Sequence, residues 1–341
     1  MEVLFVLPRI KKTQLLLDNA LEEFMINCTN KDLTKKSLMS YESTLKLFFK
    51  YLEEEFNITE VEKVEETHIK EYLDFTKERG KYSFVASSES LEINKPHNRS
   101  DFGKEVSIAT INNYLRNIKV FFNFCFESNY IKVSPTTRIR QFKATRRPKE
   151  DISDLDFHKV VKAIDTTSLH GHRDYVIIHL LLDTGMRIGE CLALTEKDVL
   201  IDKRAIFISA NICKGRKDRY VFYSQTMQRI LSRWIDYKDR YLNTELLFPS
   251  IKGKKMEVTN MEKNVKKYVL KAGVNANINC HHFRNNFGKR ALTSGMSIYQ
   301  LSVILGHSSV EVTQAAYADL TTEDIRKSYQ LHSPLENMST R

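Results

Sequence analysis

The sequence predicts a mainly α-helical protein of two domains: an N-terminal four-helix unit and a C-terminal mixed α+β domain with a small antiparallel sheet. Its 341 residues exceed one average domain. Apolar residues recur at helical spacing along most of the chain. Two short segments, 205–208 and 219–222, instead alternate around a glycine-bearing turn, which is typical of a β-hairpin. A cationic stretch without helical periodicity, residues 131–152, separates the two halves and is interpreted as a linker.

The N-terminal half carries four amphipathic stripes after a short lead, residues 1–12. The expected helices cover about 13–27, 34–52, 65–77 and 107–124, within a unit that we place at 13–130. Thr34 is a natural N-cap, and the fourth helix starts at Ser107 or Thr110. The segment 80–106 is long for a connection inside a compact domain and is expected to be a surface loop, with a short strand pair near 82–85 as one option.

The C-terminal domain is placed at residues 153–320, starting from the helix-start sequence at Ser153. Helices are expected at 153–163, 173–182, 225–237 and 260–271, with Trp234 in the core. A further apolar run, 298–305, stops at Gly306, which predicts a helix end with His307 just beyond it. The tail, residues 321–341, is weakly helical near 323–329.

Composition favours a polyanionic partner such as nucleic acid. The net charge is +10 and the pI is about 9.2, although a basic protein without such a partner remains open. Five scattered cysteines do not suggest a disulfide framework. There is no apolar run of the ~20 residues that a membrane span needs, and the start of the chain does not resemble a signal peptide. We therefore expect a cytoplasmic protein.

Six side chains suit phosphodiester cleavage without a metal. The reaction needs a nucleophile, cations for the non-bridging oxygens and a proton for the leaving 5′-oxygen. Tyr317 offers the nucleophile, two arginines offer planar donors, and a lysine on the hairpin turn offers the acid. The two remaining groups are imidazoles, a base near the tyrosine and a further donor. In chain order the six candidates are Arg187, Lys214, His281, Arg284, His307 and Tyr317.

Taken singly, each of these residues is more often a packing or surface residue than a catalyst. Cofactor motifs are missing: the sequence lacks the ligand spacing of structural zinc, a carboxylate cluster for magnesium and a phosphate-binding Gly-rich loop. No cofactor is therefore expected. His282 and Lys217 are the near competitors of His281 and Lys214, but only His281 stands three residues before Arg284.

As an ordered set, the motifs resemble the tyrosine recombinase (phage integrase) family, from about Leu15 to Tyr317. They are Thr-Gly-Met-Arg-Ile-Gly-Glu at Arg187, the Lys-Gly turn at Lys214, His-x-x-Arg at His281, and the later histidine and tyrosine. The family commonly has a histidine directly after the second arginine, whereas this chain has Asn285.

The resemblance implies a SAM-like core-binding domain that clamps DNA, a basic linker along the phosphates and a catalytic domain. It also implies a 3′-phosphotyrosyl intermediate, a homotetramer on two DNA duplexes, a tail that docks on a neighbouring protomer, and accessory DNA-bending proteins as further partners. The long 80–106 segment departs from the compact resolving type, which favours integration or transposition of a mobile element. A Xer-like dimer-resolution recombinase, a type IB topoisomerase and an inactive DNA-binding regulator are the alternatives.

Cations in the N-terminal unit and the linker are the candidates for DNA contact, with solvated surface charge as the alternative at each. They are Lys35, Lys36, Arg116, Lys119, Arg138, Arg140, Lys143, Arg146 and Arg147.

Overall fold

The computed structural model describes residues 15–87, 91–92, 95–143, 151–212, 217–275, 277–317 and 326. The chain divides into two compact units, Met1–Arg146 and Arg147–Arg341. Across the described ranges, no helix combines the length and the apolar character that crossing a membrane requires. The predicted tail helix near 323–329 lies outside the described residues except for Arg326.

The N-terminal unit contains the four predicted helices: α1 (Leu17–Asn30), α2 (Lys35–Phe56), α3 (Glu66–Glu78) and α4 (Ile108–Glu127). Two of these helices begin at a hydroxyl cap. The Thr34 side chain accepts from the Ser37 N–H at the start of α2, and Ser107, not Thr110, caps α4. The apolar faces meet in a core of aromatic rings. Phe48 lies 5.0 Å from Tyr72, and Phe121 lies 5.2 Å from Phe122, between ring centroids.

The described residues do not form the strand pair that was one option near 82–85. The described residues there form turns, and Tyr82 has a φ of 62°, which an extended strand cannot accommodate. The loop is instead closed by backbone bonds from the Lys81 N–H to the Lys104 carbonyl (2.7 Å) and from the Gly103 N–H to the Lys81 carbonyl (2.9 Å). Phe84 packs edge-on against Phe75 of α3, 5.3 Å away. Phe84 therefore packs on α3 instead of pairing in a sheet.

The first half of the predicted linker, residues 131–143, is irregular and packs along the N-terminal unit. Ile139 is 5% exposed and belongs to that unit's core. Asn112 of α4 both donates to the carbonyl of Phe142 and accepts from its N–H, each at 2.9 Å. These contacts hold the chain on α4 up to the edge of the described range.

The C-terminal unit begins with α5 (Asp154–Lys162), α6 (Leu169–Thr184) and the short α7 (Ile188–Cys191). Three strands follow, β1 (Val199–Leu200), β2 (Ala205–Ile208) and β3 (Arg219–Phe222), in an antiparallel sheet of order β1-β2-β3. In the β2–β3 hairpin Ala205 pairs with Phe222 and Ile208 with Arg219, which confirms the predicted hairpin. The remaining helices are α8 (Gln225–Tyr241), α9 (Val258–Lys271), α10 (Cys280–Thr293), α11 (Ile298–Leu305) and α12 (Val310–Ala316).

Helix α6 forms the centre of this unit and starts four residues earlier than the pattern predicted. Its N-cap is Ser168, whose hydroxyl accepts from the Gly171 N–H at 3.2 Å. The first turn, residues 169–172, hid this start because Gly171 and the two histidines beside it interrupt the apolar pattern. In the fold Arg173 donates two bonds to Asp174, which also accepts from Tyr268 at 2.8 Å, so the buried charges are satisfied.

Candidate active site

Helix α10 carries the His-x-x-Arg motif and is anchored at its first turn. The side chain of Asn279 accepts from the backbone N–H of His281 at 3.0 Å and of His282 at 3.3 Å. The His282 ring turns back, and its Nδ1 accepts from the Asn279 N–H at 3.3 Å. His282 is therefore occupied at the cap, whereas His281 is exposed one turn before Arg284.

Arg284 ties together the ends of two helices. Its guanidinium is 3% exposed and donates from Nη1 to the Gly185 carbonyl (2.7 Å) at the end of α6. From Nη2 it donates to the Leu305 carbonyl (2.8 Å) at the end of α11. Burial and the positive charge of Arg187 lower the pKa of Arg284 to about 10, so the side chain stays charged at neutral pH.

His307 lies just past α11, as the glycine signal predicted. Gly306 adopts the left-handed conformation at φ 63° and ends the helix, and the His307 N–H returns to the Ser302 carbonyl at 3.1 Å. The ring lies between Arg284, 3.0 Å from Nη2 to Nε2, and Thr313, 2.7 Å from Nδ1 to Oγ1. Burial, followed by the charges of Arg284 and Arg187, lowers the pKa of His307 to about 4.

Arg187 stands at the start of α7, on the open side of the group. Its Nη1 donates to Glu190 at 2.9 Å and its Nη2 to the Gly306 carbonyl at 3.3 Å. The side chain is 29% exposed. Both arginines thus meet backbone carbonyls at the C-terminal end of α11, which brings the two cations to the same side of His307.

A buried ion pair behind Arg187 was not among the predicted site residues. Glu190 is 2% exposed and accepts from Arg219 at 2.6 and 3.2 Å, while Arg219 Nε donates to the Ile304 carbonyl at 3.0 Å. Burial raises the pKa of Glu190, but the bonds and charges of Arg219 and Arg187 outweigh it, and the net pKa is lowered. A signal existed, since Glu190 ends the Thr-Gly-x-Arg-x-x-Glu motif, but Arg219 looked like an ordinary strand residue.

Tyr317 follows the last turn of α12, and its N–H donates to the Thr313 carbonyl at 3.0 Å. The phenol lies against Gly288 of α10, four residues after Arg284. A Cβ at Gly288 would be 2.0 Å from the phenolic oxygen, so only glycine leaves room for the ring. Burial raises the pKa of Tyr317, and the charge of Arg284 partly opposes this. A glycine inside a helix, one turn beyond the motif arginine, was the available signal for this contact.

The predicted general acid, Lys214, lies outside the described residues. Its competitor Lys217 is exposed two residues before β3. The structure therefore brings Arg187, Arg284 and His307 together with the Tyr317 phenol, and His281 is close enough for its charge to affect the pKa of His307. Within the described ranges, no group of three His, Cys, Asp or Glu side chains is arranged to hold a metal ion.

The candidate DNA contacts differ in what they do. Lys35 and Lys36 are exposed at the start of α2, and Arg138, Arg140 and Lys143 are exposed after α4. Arg116 is exposed and donates to Asn113 at 2.7 Å. Lys119 is half-buried and its ammonium donates to the Ile139 carbonyl, which makes it a tether for the segment after α4. Arg146 and Arg147 lie outside the described residues.

Chemically, the group offers two fixed guanidiniums, a neutral imidazole and a phenol on one side of α10. Guanidinium donors match the oxygens of a phosphate in number and geometry. A phenol beside them is placed to form an ester with a phosphorus atom bound there.

Comparison with known proteins agrees with this chemistry. The phage integrase family matches residues 153–324. A tyrosine recombinase XerC of Chlamydia muridarum is 29% identical over 213 residues, which cover 61% of this chain and 66% of that relative. The Tn1549 transposon integrase in complex with transposon right end DNA superposes with a TM-score of 0.70 at 17% identity, covering 93% of this chain and 99% of that structure. A lambda integrase dimer bound to a core site has a TM-score of 0.64 at 14% identity, with 87% and 97% covered. At these identities the solved structures show a shared fold.

Proposed function

Because this chain belongs to the phage integrase family, we propose that it is a site-specific DNA recombinase that cleaves and rejoins DNA through a covalent 3′-phosphotyrosyl intermediate. Double-stranded DNA is the substrate, and the overall exchange needs no nucleotide cofactor. The phosphotyrosyl ester conserves the energy of the broken phosphodiester, so that a 5′-hydroxyl of a partner duplex can attack it.

In the cleavage step, the Tyr317 oxygen forms a bond to phosphorus while the bond from phosphorus to the 5′-oxygen breaks. The phenol is protonated at neutral pH, and burial raises the pKa of Tyr317 further above its usual value near 10. The reaction therefore needs a base, and His281 takes that proton in our proposal. Arg187 and Arg284 hold the non-bridging oxygens as negative charge develops on them. Lys214 gives a proton to the departing 5′-oxygen, with Lys217 as its competitor.

The observation that supports this proposal most is the position of the phenol. It packs on Gly288, one helical turn from Arg284, whose guanidinium contacts His307 at 3.0 Å. A tyrosine that served packing alone would not require a glycine against its hydroxyl, one helical turn from a buried arginine. The alternative of a regulator that had lost its chemistry has no use for this arrangement.

The N-terminal unit, in this proposal, is the core-binding domain, and its exposed cations contact phosphates. The chain has a net charge of +10, and contacts between positive side chains and phosphates are the usual basis of DNA affinity. Lys35, Lys36 and Arg116 fit that role by their exposure, whereas Lys119 has a structural bond to the Ile139 carbonyl. Four protomers on two duplexes would carry out the exchange, with the tail docking between neighbours and with DNA-bending proteins as accessory partners.

Integration and excision of a mobile element is the biological role that we favour. The reason is the long segment after α3, which folds back over α2 through the bond from Lys50 to the Val85 carbonyl (2.9 Å). Dimer resolution is the second candidate, and the similarity to XerC favours it. A plasmid with two directly repeated copies of one site tests the second role, because dimer resolution requires recombination between identical copies.

The decisive experiment uses a DNA duplex from the element's ends, nicked near the scissile phosphate so that cleavage traps the enzyme. Wild type is compared with Tyr317→Phe and with Tyr299→Phe, a matched change at a tyrosine that is 67% exposed on α11. We expect a denaturant-resistant adduct with wild type and Tyr299→Phe and none with Tyr317→Phe. An adduct with Tyr317→Phe would refute the nucleophile. No adduct from any variant would favour the regulator, and supercoil relaxation without recombination would favour a topoisomerase.

A further inference from the structure

The N-terminal unit contains a cavity that the proposed cleavage chemistry does not use. Its volume is about 550 Å³, which lies within the range of about 300–1,000 Å³ that is typical of small-molecule sites. Its lining residues come from α2, from the first two turns of α4 and from the segment that joins α3 to α4. The segment that the sequence indicated as a surface loop therefore completes a cavity on two helices.

Aromatic rings form much of the apolar lining of this cavity. Those of Tyr82, Phe84 and Tyr114 face it, and Val106, which is 4% exposed, adds an aliphatic surface. The Phe84 ring is fixed in place, because the Lys50 ammonium lies 5.1 Å from its centre. A concave surface of rings and aliphatic groups suits a flat apolar ligand better than it suits an inorganic ion.

The cavity also carries an excess of positive charge. Its charged lining residues are Glu42, Lys46, Arg79, Lys81 and Arg99. Lys46 neutralises Glu42, since its ammonium lies 2.7 Å from the carboxylate. Arg79 donates to a backbone carbonyl at 3.2 Å, and within the described ranges neither Arg79 nor Lys81 forms an ion pair with a carboxylate. The remaining positive charge favours an anionic group on the ligand.

The aromatic and cationic parts of the lining meet at Arg99. Its guanidinium carbon lies 4.3 Å from the centre of the Tyr82 ring, and its Nε donates to Asp101 at 3.1 Å, which holds the guanidinium there. Proteins bind unstacked nucleobases on aromatic rings and on arginine planes, and they bind phosphate through arginine and lysine. The cavity offers both kinds of group.

We propose that this cavity binds one nucleotide unit, with the base against the rings and the phosphate on the cations. The site uses no residue of the candidate active site and goes beyond the recombinase function. Two sources have this chemistry: a free nucleotide, and a nucleotide of bound DNA that has left its stack. DNA is near enough in the proposed function, because Lys36, a candidate phosphate contact, stands three residues before the lining residue Met39 on one face of α2.

The first test needs no substitution. The full chain is titrated calorimetrically with dAMP, with deoxyadenosine and with inorganic phosphate. We expect dAMP to bind at least about tenfold more tightly than either fragment, because only dAMP engages the rings and the cations together. Equal affinity for dAMP and phosphate, or no binding of dAMP, would overturn the proposal.

A pair of lysine variants locates the binding. Lys81→Ala removes a cation of the cavity, whereas Lys70→Ala removes an exposed lysine of α3 that pairs with Glu66 at 2.7 Å. We expect Lys81→Ala to weaken dAMP binding about tenfold, the effect of losing one hydrogen bond to a charged group, and Lys70→Ala to bind like wild type. Unchanged affinity in Lys81→Ala would place the nucleotide elsewhere and would refute the site.

Repeating the dAMP titration with a saturating duplex from the element's ends separates the two sources. Loss of dAMP binding means that a nucleotide of the DNA occupies the cavity, and retained binding means that the ligand is a free nucleotide. Both results support the site. The adduct test with Tyr317→Phe is independent of these titrations, so a failure of the nucleotide site would leave the recombinase proposal standing.

Discussion

Replacing Gly288 by alanine is expected to disable cleavage while leaving the fold intact. The new methyl carbon would lie 2.0 Å from the Tyr317 oxygen and 2.2 Å from Cζ, whereas non-bonded atoms need about 3.5 Å. The phenol must therefore move by about 1.5 Å. A displacement of about 1 Å in a catalytic group can cost about 10²-fold in rate, so we expect at least a hundredfold loss in single-turnover cleavage.

The helix itself should tolerate the change, because alanine is more favourable than glycine inside a helix by about 1 kcal/mol. Gly189→Ala in α7 is the matched control, since its Cβ would meet its nearest neighbour, Val258, at 3.9 Å, an ordinary contact. We expect Gly288→Ala to bind DNA normally and to unfold at wild-type urea concentration or above. Wild-type cleavage by Gly288→Ala would mean that the phenol reacts from a different position, and the reasoning from this contact would fail.

Two further predictions concern stability and can be followed by the fluorescence of Trp234, which is the chain's single tryptophan and is buried in the C-terminal unit. Glu190→Gln should lower the free energy of unfolding by about 3 kcal/mol, because it leaves the buried Arg219 without its carboxylate. The control is Glu245→Gln, in an exposed pair with Lys197, which should leave the free energy of unfolding unchanged. A small effect at Glu190 would show that the pair of Glu190 and Arg219 is not buried in solution. The pKa of His307 is about 4 in the folded protein, whereas the pKa of a histidine in an unfolded chain is about 6.5. As the pH falls from about 6.5 towards 4, the unfolded state therefore binds a proton that the folded state does not, and the free energy of unfolding decreases. After allowance for the partial exposure of the ring, wild type should lose about 1 kcal/mol more than His307→Gln between pH 7 and pH 4.5, and equal losses in urea titrations would contradict the assigned pKa.

Local signals in the sequence were enough for most of the fold. Hydroxyl caps at Thr34 and Ser153 and the glycine after α11 act within one turn of chain, so their patterns are legible without tertiary knowledge. The start of α6 was missed because Gly171 and its two neighbouring histidines break the apolar pattern in the first turn. The strand pair that was one option near 82–85 is not formed, because Tyr82 has a positive φ and Phe84 packs on Phe75 of α3.

The candidate site was predictable as a set of residue types and much less as a set of contacts. The proposed chemistry depends on the order of Arg187, Arg284 and Tyr317, and that order can be read from the sequence alone. The partners that hold these groups lie far apart in sequence, such as Arg219 for Glu190 and Gly288 for Tyr317. They have no periodicity or spacing of their own, so only the folded chain identifies them.

The shortness of α12 has a consequence for how the reaction could be controlled. The helix has seven residues, of which only Thr313 is fully buried, and helices this short are not stable by themselves. Its free energy of local opening is therefore expected to be far below that of the rest of the unit, because so little surface is lost to solvent when it frays. The tyrosine is therefore attached to a turn whose local opening is expected to cost little free energy compared with that of α6. Hydrogen exchange at the Tyr317 amide should accordingly be faster than at amides in the middle of α6, and a neighbour that binds this turn could decide when the phenol is in place.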